Sequence, residues 1–410
     1  MKWIKKDDVI SFINNNNYDI RISKNARWID QKCTPDVISA IADFIINYIE
    51  DENNQSTNEF TSNDIWHYPY SVDNIENIFK KPNPNAKASN EYDKFFQQPM
   101  ELFANANLLN KTKKGNKNIY SILDKDILQY IATSELNALF FLQTYIEKVL
   151  KDSNLYTFFE DFFRNSTQQT YTHLKEKFSN FTINNTKING VTECNRIFTK
   201  VLNPLAFKNN CQGSQHGRLS KHKITKDMLM YNRDNFRDIY SEKPKDMPRK
   251  EYEEKNNIHP NKDYYKYQSS KAKKLLQKFN TIYRNGLTEV TNDPTHLKHK
   301  ATVIHHIFPE AQFPTICFYL ENLIALTPTQ HTNYAHPNGN TQIIDETYQQ
   351  LCLLSKAKNI EDNINDTTIE TIYKFSNFLI VLSTGFNDEK FETIEENDFN
   401  GVIEQINLHY

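Results

Sequence analysis

Glycine is scarce in this chain. Only 8 of 410 residues are glycine, and they form neither a GxGxxG turn nor a P-loop, which removes the usual seats for nucleotide-phosphate chemistry. Cysteine is scarcer still. Cys33, Cys194, Cys211, Cys317 and Cys352 are odd in number, far apart and never paired as CxxC. That spacing argues against a disulfide frame or a cysteine-based zinc site and fits a reducing, cytoplasmic setting. No run of about 18 apolar residues occurs, so no membrane span is expected. The N-terminal stretch opens with lysines but has no apolar signal core, so secretion is not expected.

What is present supports folded domains. Hydrophobic residues make up 38 % and aromatics 13 %, enough for real cores, and the length suggests two or three domains. The net charge of −2 hides an uneven distribution. Residues 207–303 carry 21 Lys and Arg against 11 Asp and Glu, while residues 344–410 carry 4 against 13. A basic segment ahead of a histidine-rich stretch is what a polyanion-binding surface needs, although a solvated lysine-rich face has the same composition.

Periodicity gives an α+β chain that is mostly helical. Residues 34–49 place Val37, Ile38, Ile41, Ile45, Tyr48 and Ile49 on one helical face, with Thr34 at the cap and Pro35 at the first helical position. From Phe60 to Leu123, three short helical patterns precede the basic, Gly-centred turn "KTKKGNKN", the layout of a winged helix-turn-helix. In that reading Lys111, Lys113, Lys114 and Lys117 of the wing touch DNA phosphates; the alternative is a helical subdomain with a lysine-rich hairpin. The expected organisation is a helical domain over 1–150 with its winged-helix-like part near 58–123. A helical, then basic and polar, connecting region follows over 151–295, then a small module at 296–345 and acidic helices at 346–410. Residues 127–150 read as one long helix or a pair. No internal repeat is evident.

The densest chemistry lies in "KATVIHHIFPEAQFPTICFYLENLIALTPTQHTNYAH". "KATVI" reads as a strand ending on His305 and His306, "NLIALT" as an antiparallel partner, and Thr327-Pro328 as the start of a helix carrying His331. Successive strand residues point to opposite sides. One histidine of the pair can therefore bind a metal while the other faces substrate. His305 and His331 are the expected ligands, and His306, with an ordinary pKa near ~6.5, is the expected general base. His336 follows His331 by five, about 140° round a continuous helix. It joins the metal only if the helix is broken, which "HPNGN" allows; otherwise it contacts phosphate or caps the loop.

This strand–loop–strand–helix order, with Asn322 nine positions before His331, resembles the HNH (ββα-metal) nuclease motif, and "NLIALTPTQH" is similar to the matching segment of colicin-type DNases. A looser likeness, including "ARWIDQKCTPDV", reaches HNH-type type II restriction endonucleases of bacteria. The resemblance implies metal-dependent, sequence-specific cleavage of double-stranded DNA to 5′-phosphate and 3′-hydroxyl ends. It also implies Asn322 as the residue that holds the catalytic loop, and Lys298, Lys300 and Asn340 as further DNA contacts. The implied ion is Mg²⁺, with Mn²⁺, Ni²⁺, Co²⁺ or Zn²⁺ tolerated. The implied partners are duplex DNA, a cognate DNA methyltransferase and a transient second copy of the chain. Thr327 and Gln330 stand where many relatives of that family carry CxxC cysteines, so no structural zinc is implied. Two other readings remain: a less specific HNH DNase, and a non-catalytic DNA-binding protein on the same scaffold. A rival metal site, Asp19 with Asp30-x-Lys32, competes with the plainer reading that Arg27, Asp30 and Lys32 form ion pairs before the helix at Thr34.

Overall fold

The computed structural model describes residues 3–51, 54, 59–79, 81, 84, 89–231, 244, 247, 251–252, 255, 262–290, 299–336 and 344–410. The chain is α+β and mostly helical, with small antiparallel sheets. It divides into two compact units, Lys2–Tyr252 and Glu253–Tyr410.

In Lys2–Tyr252, α1 (Lys6–Asn14) and α2 (Ile20–Ser23) precede α3 (Pro35–Glu50), which is buried along most of its length. Thr34 sits at the cap position of α3 as expected. Its hydroxyl nevertheless makes no capping bond and is buried without a hydrogen-bond partner among the described residues. Strand β1 (Glu59–Phe60) leads into α4 (Ser62–His67), α5 (Pro69–Phe79) and α6 (Ser89–Asn105), then β2 (Leu109–Lys114) and β3 (Lys117–Ile122). The sheet order is β1-β3-β2, all antiparallel, with Phe60 opposite Tyr120. Gly115 takes φ +61° at the first of the two turn residues between β2 and β3, where a type II′ turn requires glycine. Residues 127–150 form a pair of helices, α7 (Lys125–Thr133) and α8 (Glu135–Asp152). Ser134 separates them in an extended conformation, and its side chain accepts from the Asn137 N–H, capping α8.

Next come α9 (Tyr156–Arg164), α10 (Gln168–Asn185) and α11 (Val191–Lys208), then a second hairpin of β4 (Gln212–Gln215) and β5 (Arg218–Lys223). The composition of 208–295 gave no hint of these strands. Asn203 of α11 stitches the hairpin down. Its Oδ1 accepts from Ser214 N–H at 2.7 Å and its Nδ2 donates to the Ser214 carbonyl at 2.9 Å.

In Glu253–Tyr410, α12 (Lys262–Tyr283) packs against the antiparallel pair β6 (Val303–His306) and β7 (Leu323–Leu326). After β7 the chain makes a helical turn, and α13 (Glu346–Asn365), α14 (Phe375–Phe386) and α15 (Phe399–Asn407) follow. Helix α12 therefore belongs to the same unit as the histidines. Buried polar groups bind this unit together. Glu289 Oε1 meets Lys356 Nζ at 2.9 Å and Arg284 at 2.6 Å, with the Tyr373 hydroxyl at 3.3 Å. Its Oε2 accepts from the Ala325 N–H in β7 at 2.7 Å.

Candidate metal centre

Strands β6 and β7 pair from Val303–Leu326 to His306–Leu323. Strand β6 starts at Val303 rather than Lys300 and ends on the two histidines as expected, and its alternation sends them to different environments. His305 is buried, and its ring stands 5.3 Å from the His331 ring and 5.0 Å from the His336 ring. His306 instead meets α12 and the loop between the strands.

The segment "TPTQH" explains how His331 arrives. Thr327 Oγ1 accepts from the Gln330 N–H at 3.1 Å, and Gln330 Oε1 accepts from the Thr327 N–H at 3.0 Å, a reciprocal capping box. Gln330 Oε1 also accepts from the Thr288 hydroxyl at 2.6 Å. The two positions that lack the cysteines of a zinc knuckle thus do the structural work of a helix start.

His336 reaches the same place by a route the sequence argument did not consider. The helix is neither continuous α nor broken: residues Gln330–Ala335 form a π turn, in which the His336 N–H donates to the His331 carbonyl at 3.2 Å. The six-residue hydrogen-bonded ring takes up the extra residue that would carry His336 off the face. The His331 and His336 rings stand 4.8 Å apart. One nitrogen from each of His305, His331 and His336 lies within 4.8 Å of the other two. An ion central to three such atoms is no more than about 2.8 Å from each, so small ring rotations reach the ~2.0–2.1 Å of a zinc–imidazole bond.

The electrostatics favour the ligating form. Burial, and then the neighbouring His331 and His336 imidazoles, hold His305 well below its ordinary pKa. Burial, and then His336 and Lys273, lower His331 as well. Neutral imidazole is the form that binds a metal.

His306 is held differently. Its Nε2 lies 3.0 Å from the Cys317 carbonyl and 3.0 Å from Ser269 Oγ, with Glu310 Oε2 at 3.8 Å. A carbonyl only accepts, so Nε2 carries the proton and Nδ1 presents the lone pair. Burial, and then the charge of Lys273, push the His306 imidazole down to about 4, against the upward pull of the Cys317 carbonyl. The ordinary value expected from sequence is thereby corrected: the ring is neutral at pH 7, and its proton affinity is lower than that of a free imidazole.

Asn322 holds the loop that holds His306. Its Oδ1 accepts from the Phe308 N–H at 2.8 Å, and its Nδ2 donates to the Phe308 carbonyl at 3.0 Å and the Ile316 carbonyl at 3.3 Å. It is wholly buried. The loop is seated further by Phe308, whose ring lies where a Cβ on Gly385 would clash at 2.4 Å.

Of the remaining expected contacts, Lys113, Lys114 and Lys117 are exposed on the β2–β3 hairpin, whereas Lys111 is ion-paired with Glu101 at 2.6 Å. Lys300 is exposed, with its ammonium bound to the Asn285 carbonyl. Lys298 and Asn340 lie outside the described residues. The rival site does not assemble. Asp19 caps α2 and pairs with Arg21, Asp30 pairs with Arg27, and Lys32 reaches the Tyr231 hydroxyl at 3.4 Å. Ser269, Lys273, Glu310 and Cys317 complete the surroundings of the histidines. Sequence reasoning missed them because they come from another helix and from loop backbone. No helix of the described residues is long and apolar enough to cross a membrane. Comparison with protein-family profiles, characterised proteins and solved structures finds no match to this chain.

Proposed function

We propose that this chain is a metal-dependent endonuclease of the HNH kind acting on double-stranded DNA, and specifically a type II restriction enzyme. The observation that carries this reading is the division of labour among four histidines. Three imidazoles converge on one point, while the fourth stands on the opposite face of the same strand with one nitrogen tied to a carbonyl.

His305, His331 and His336 would hold the ion, and a divalent ion there supplies Lewis-acid stabilisation of charge on a phosphate and its leaving oxygen. Three imidazoles suit Zn²⁺, Ni²⁺, Co²⁺ or Mn²⁺, whereas Mg²⁺ prefers oxygen donors. A transition ion is therefore the better fit than the Mg²⁺ implied by the resemblance. His306 accepts a proton from water at Nδ1 as the water oxygen bonds to phosphorus and the bond to the 3′ oxygen breaks. An approaching phosphate raises the proton affinity of His306, offsetting its burial. Asn322 keeps the Cys317 carbonyl in place through the loop backbone.

The unit Lys2–Tyr252 suits the reading role. Helices α4 to α6 followed by the β2–β3 hairpin, with β1 paired to β3, have the order of a winged helix. Lys114 and Lys117 stand directly opposite each other across the hairpin. Opposed like charges are destabilising, and a phosphate backbone relieves them. A cognate methyltransferase and a transient second copy for double-strand cleavage belong to the same proposal.

The test is digestion of a mapped plasmid with Mg²⁺, Mn²⁺, Co²⁺, Ni²⁺ and Zn²⁺ in turn. Discrete fragments with 5′-phosphate ends support the restriction enzyme, and a smear supports the less specific DNase. Tight DNA binding without cleavage by any ion refutes the enzyme and leaves the non-catalytic reading.

A further inference from the structure

Two stretches of Lys2–Tyr252 share a backbone design that their sequences conceal. Helix α6 ends with Asn107 at φ +61° and the Leu108 N–H donating to the Phe103 carbonyl at 2.9 Å. Helix α11 ends with Asn210 at φ +52° and the Cys211 N–H donating to the Ala206 carbonyl at 3.0 Å. Both are six-residue helix-terminating rings with asparagine in the left-handed position. A hairpin follows at once in each case. Each hairpin is closed by the residue after it, Leu123 N–H to the Leu108 carbonyl at 2.9 Å and Ile224 N–H to the Cys211 carbonyl at 3.0 Å. The first follows three helices, α4 to α6, after β1, and the second follows five, α7 to α11, after β3. The motif is a repeat of hydrogen bonding that conserved letters do not announce.

The second hairpin also has the surface of the first. Residues 109–122 and 212–223 contain no acidic side chain. Arg218, Lys221 and Lys223 are exposed, and none has an ion-pair partner among the described residues. The tip is a tight two-residue turn, with His216 at φ +50° and Gly217 at φ +76°, the signature of type I′. Lys175 donates to the Gly217 carbonyl at 2.9 Å, adding another cation at the tip. Gly213 is required behind it, because a Cβ there would lie 2.6 Å from both Asn203 Oδ1 and Ile224 Cγ1. The hairpin is therefore held against α11 while its cations face outward.

We propose that β4–β5 is a second wing, which lies on the phosphate backbone of duplex DNA through Arg218, Lys221 and Lys223. The inference rests on the DNA-reading role proposed for this unit and extends it to two contact modules in tandem. Such contacts position a protein on duplex without selecting bases.

The test is fluorescence-anisotropy binding of the full chain to a labelled duplex in EDTA, across a salt series. Three proteins are compared: wild type, Arg218→Gln/Lys221→Gln/Lys223→Gln, and Lys113→Gln/Lys114→Gln/Lys117→Gln. Each phosphate contact contributes about 0.9 to the slope of log K against log salt, so each triple variant should flatten the slope by about 2–3 and weaken binding at least about tenfold near 0.1 M salt. The charge-keeping variant Lys221→Arg/Lys223→Arg should bind like wild type, which separates charge from folding. If the β4–β5 variant matches wild type in affinity and slope while the β2–β3 variant weakens, the second wing is refuted and the proposed function stands. Failure of the wild-type chain to bind duplex DNA, or its displacement by duplex RNA in preference, overturns both.

Discussion

Replacing Glu289 by glutamine tests the internal support of the histidine-bearing unit. Glu289 and Lys356 have fully buried side chains, and Arg284 is four-fifths buried beside them. The substitution keeps the shape and leaves an amide oxygen for the Ala325 N–H, but it strands two cations away from water. Removing one partner of a buried pair costs about 3–5 kcal/mol, whereas replacing the pair by apolar groups of similar volume is near neutral. Glu289→Gln should therefore lower the melting temperature of this unit by roughly 6–20 °C, at ~2–4 °C per kcal/mol for a domain of this size. Adding Lys356→Met should recover part of the loss, because it removes one of the stranded charges. Burial raises the Glu289 carboxyl, but Lys356 and Arg284 outweigh it and hold the group below its ordinary value of 4.5. The stabilisation is thus present above that value and is lost as pH falls below it towards the folded-state pKa. Wild type should lose stability on acidification there, while Glu289→Gln should show a flatter profile. Differential scanning calorimetry of the full chain reads both effects. A shift under about 2 °C, or a second substitution that simply adds its own loss, would refute the account of the network.

Three further outcomes follow from the site. His306→Ala should reduce cleavage about 10²–10⁴-fold while leaving zinc affinity unchanged, as measured by single-turnover digestion beside metal titration. Asn322→Ala should leave the Phe308 N–H and the Phe308 and Ile316 carbonyls without their partner; at ~1–3 kcal/mol for each orphaned buried group, thermal unfolding should show a loss of about 3–9 kcal/mol. Deleting Ala335 should convert the π turn to an α turn and bring the second histidine to four residues after His331, with metal affinity kept, whereas inserting a second alanine there should abolish it. Competition with a zinc dye separates the two, and equal loss in both would show that the turn does not deliver His336.

The sequence was legible wherever local chemistry decides structure. The strand–loop–strand–helix order, the Thr327-Pro328 helix start and the separation of His305 from His306 all follow from alternation and capping, and the structure has each of them. Helix α3 was legible from its apolar face. The π turn was not, because helical spacing assumes one fixed period, and only the hydrogen bonding reveals the wider ring. Nor were Ser269 and Lys273, which reach the histidines from α12 through tertiary packing. The β4–β5 hairpin was hidden by polarity: "QGSQHGRLSKHK" has almost no apolar alternation, and its pairing depends on the buried Asn203 and Ser214. The depressed pKa of His306 was likewise unreadable, since it arises from burial in a pocket built by distant residues.

Calorimetric titration of Zn²⁺ into wild type and into His305→Ala, His331→Ala, His336→Ala and His306→Ala weighs the metal centre most directly. Four-ligand zinc sites bind with ~10–16 kcal/mol, so one imidazole is worth about 2.5–4 kcal/mol, or roughly 10²-fold in affinity. The expected result is one ion per wild-type chain, a loss of about that size for each of the first three variants, and wild-type affinity for His306→Ala. A chain that binds no ion, or one in which His306→Ala weakens binding as much as the other three, would contradict the assignment.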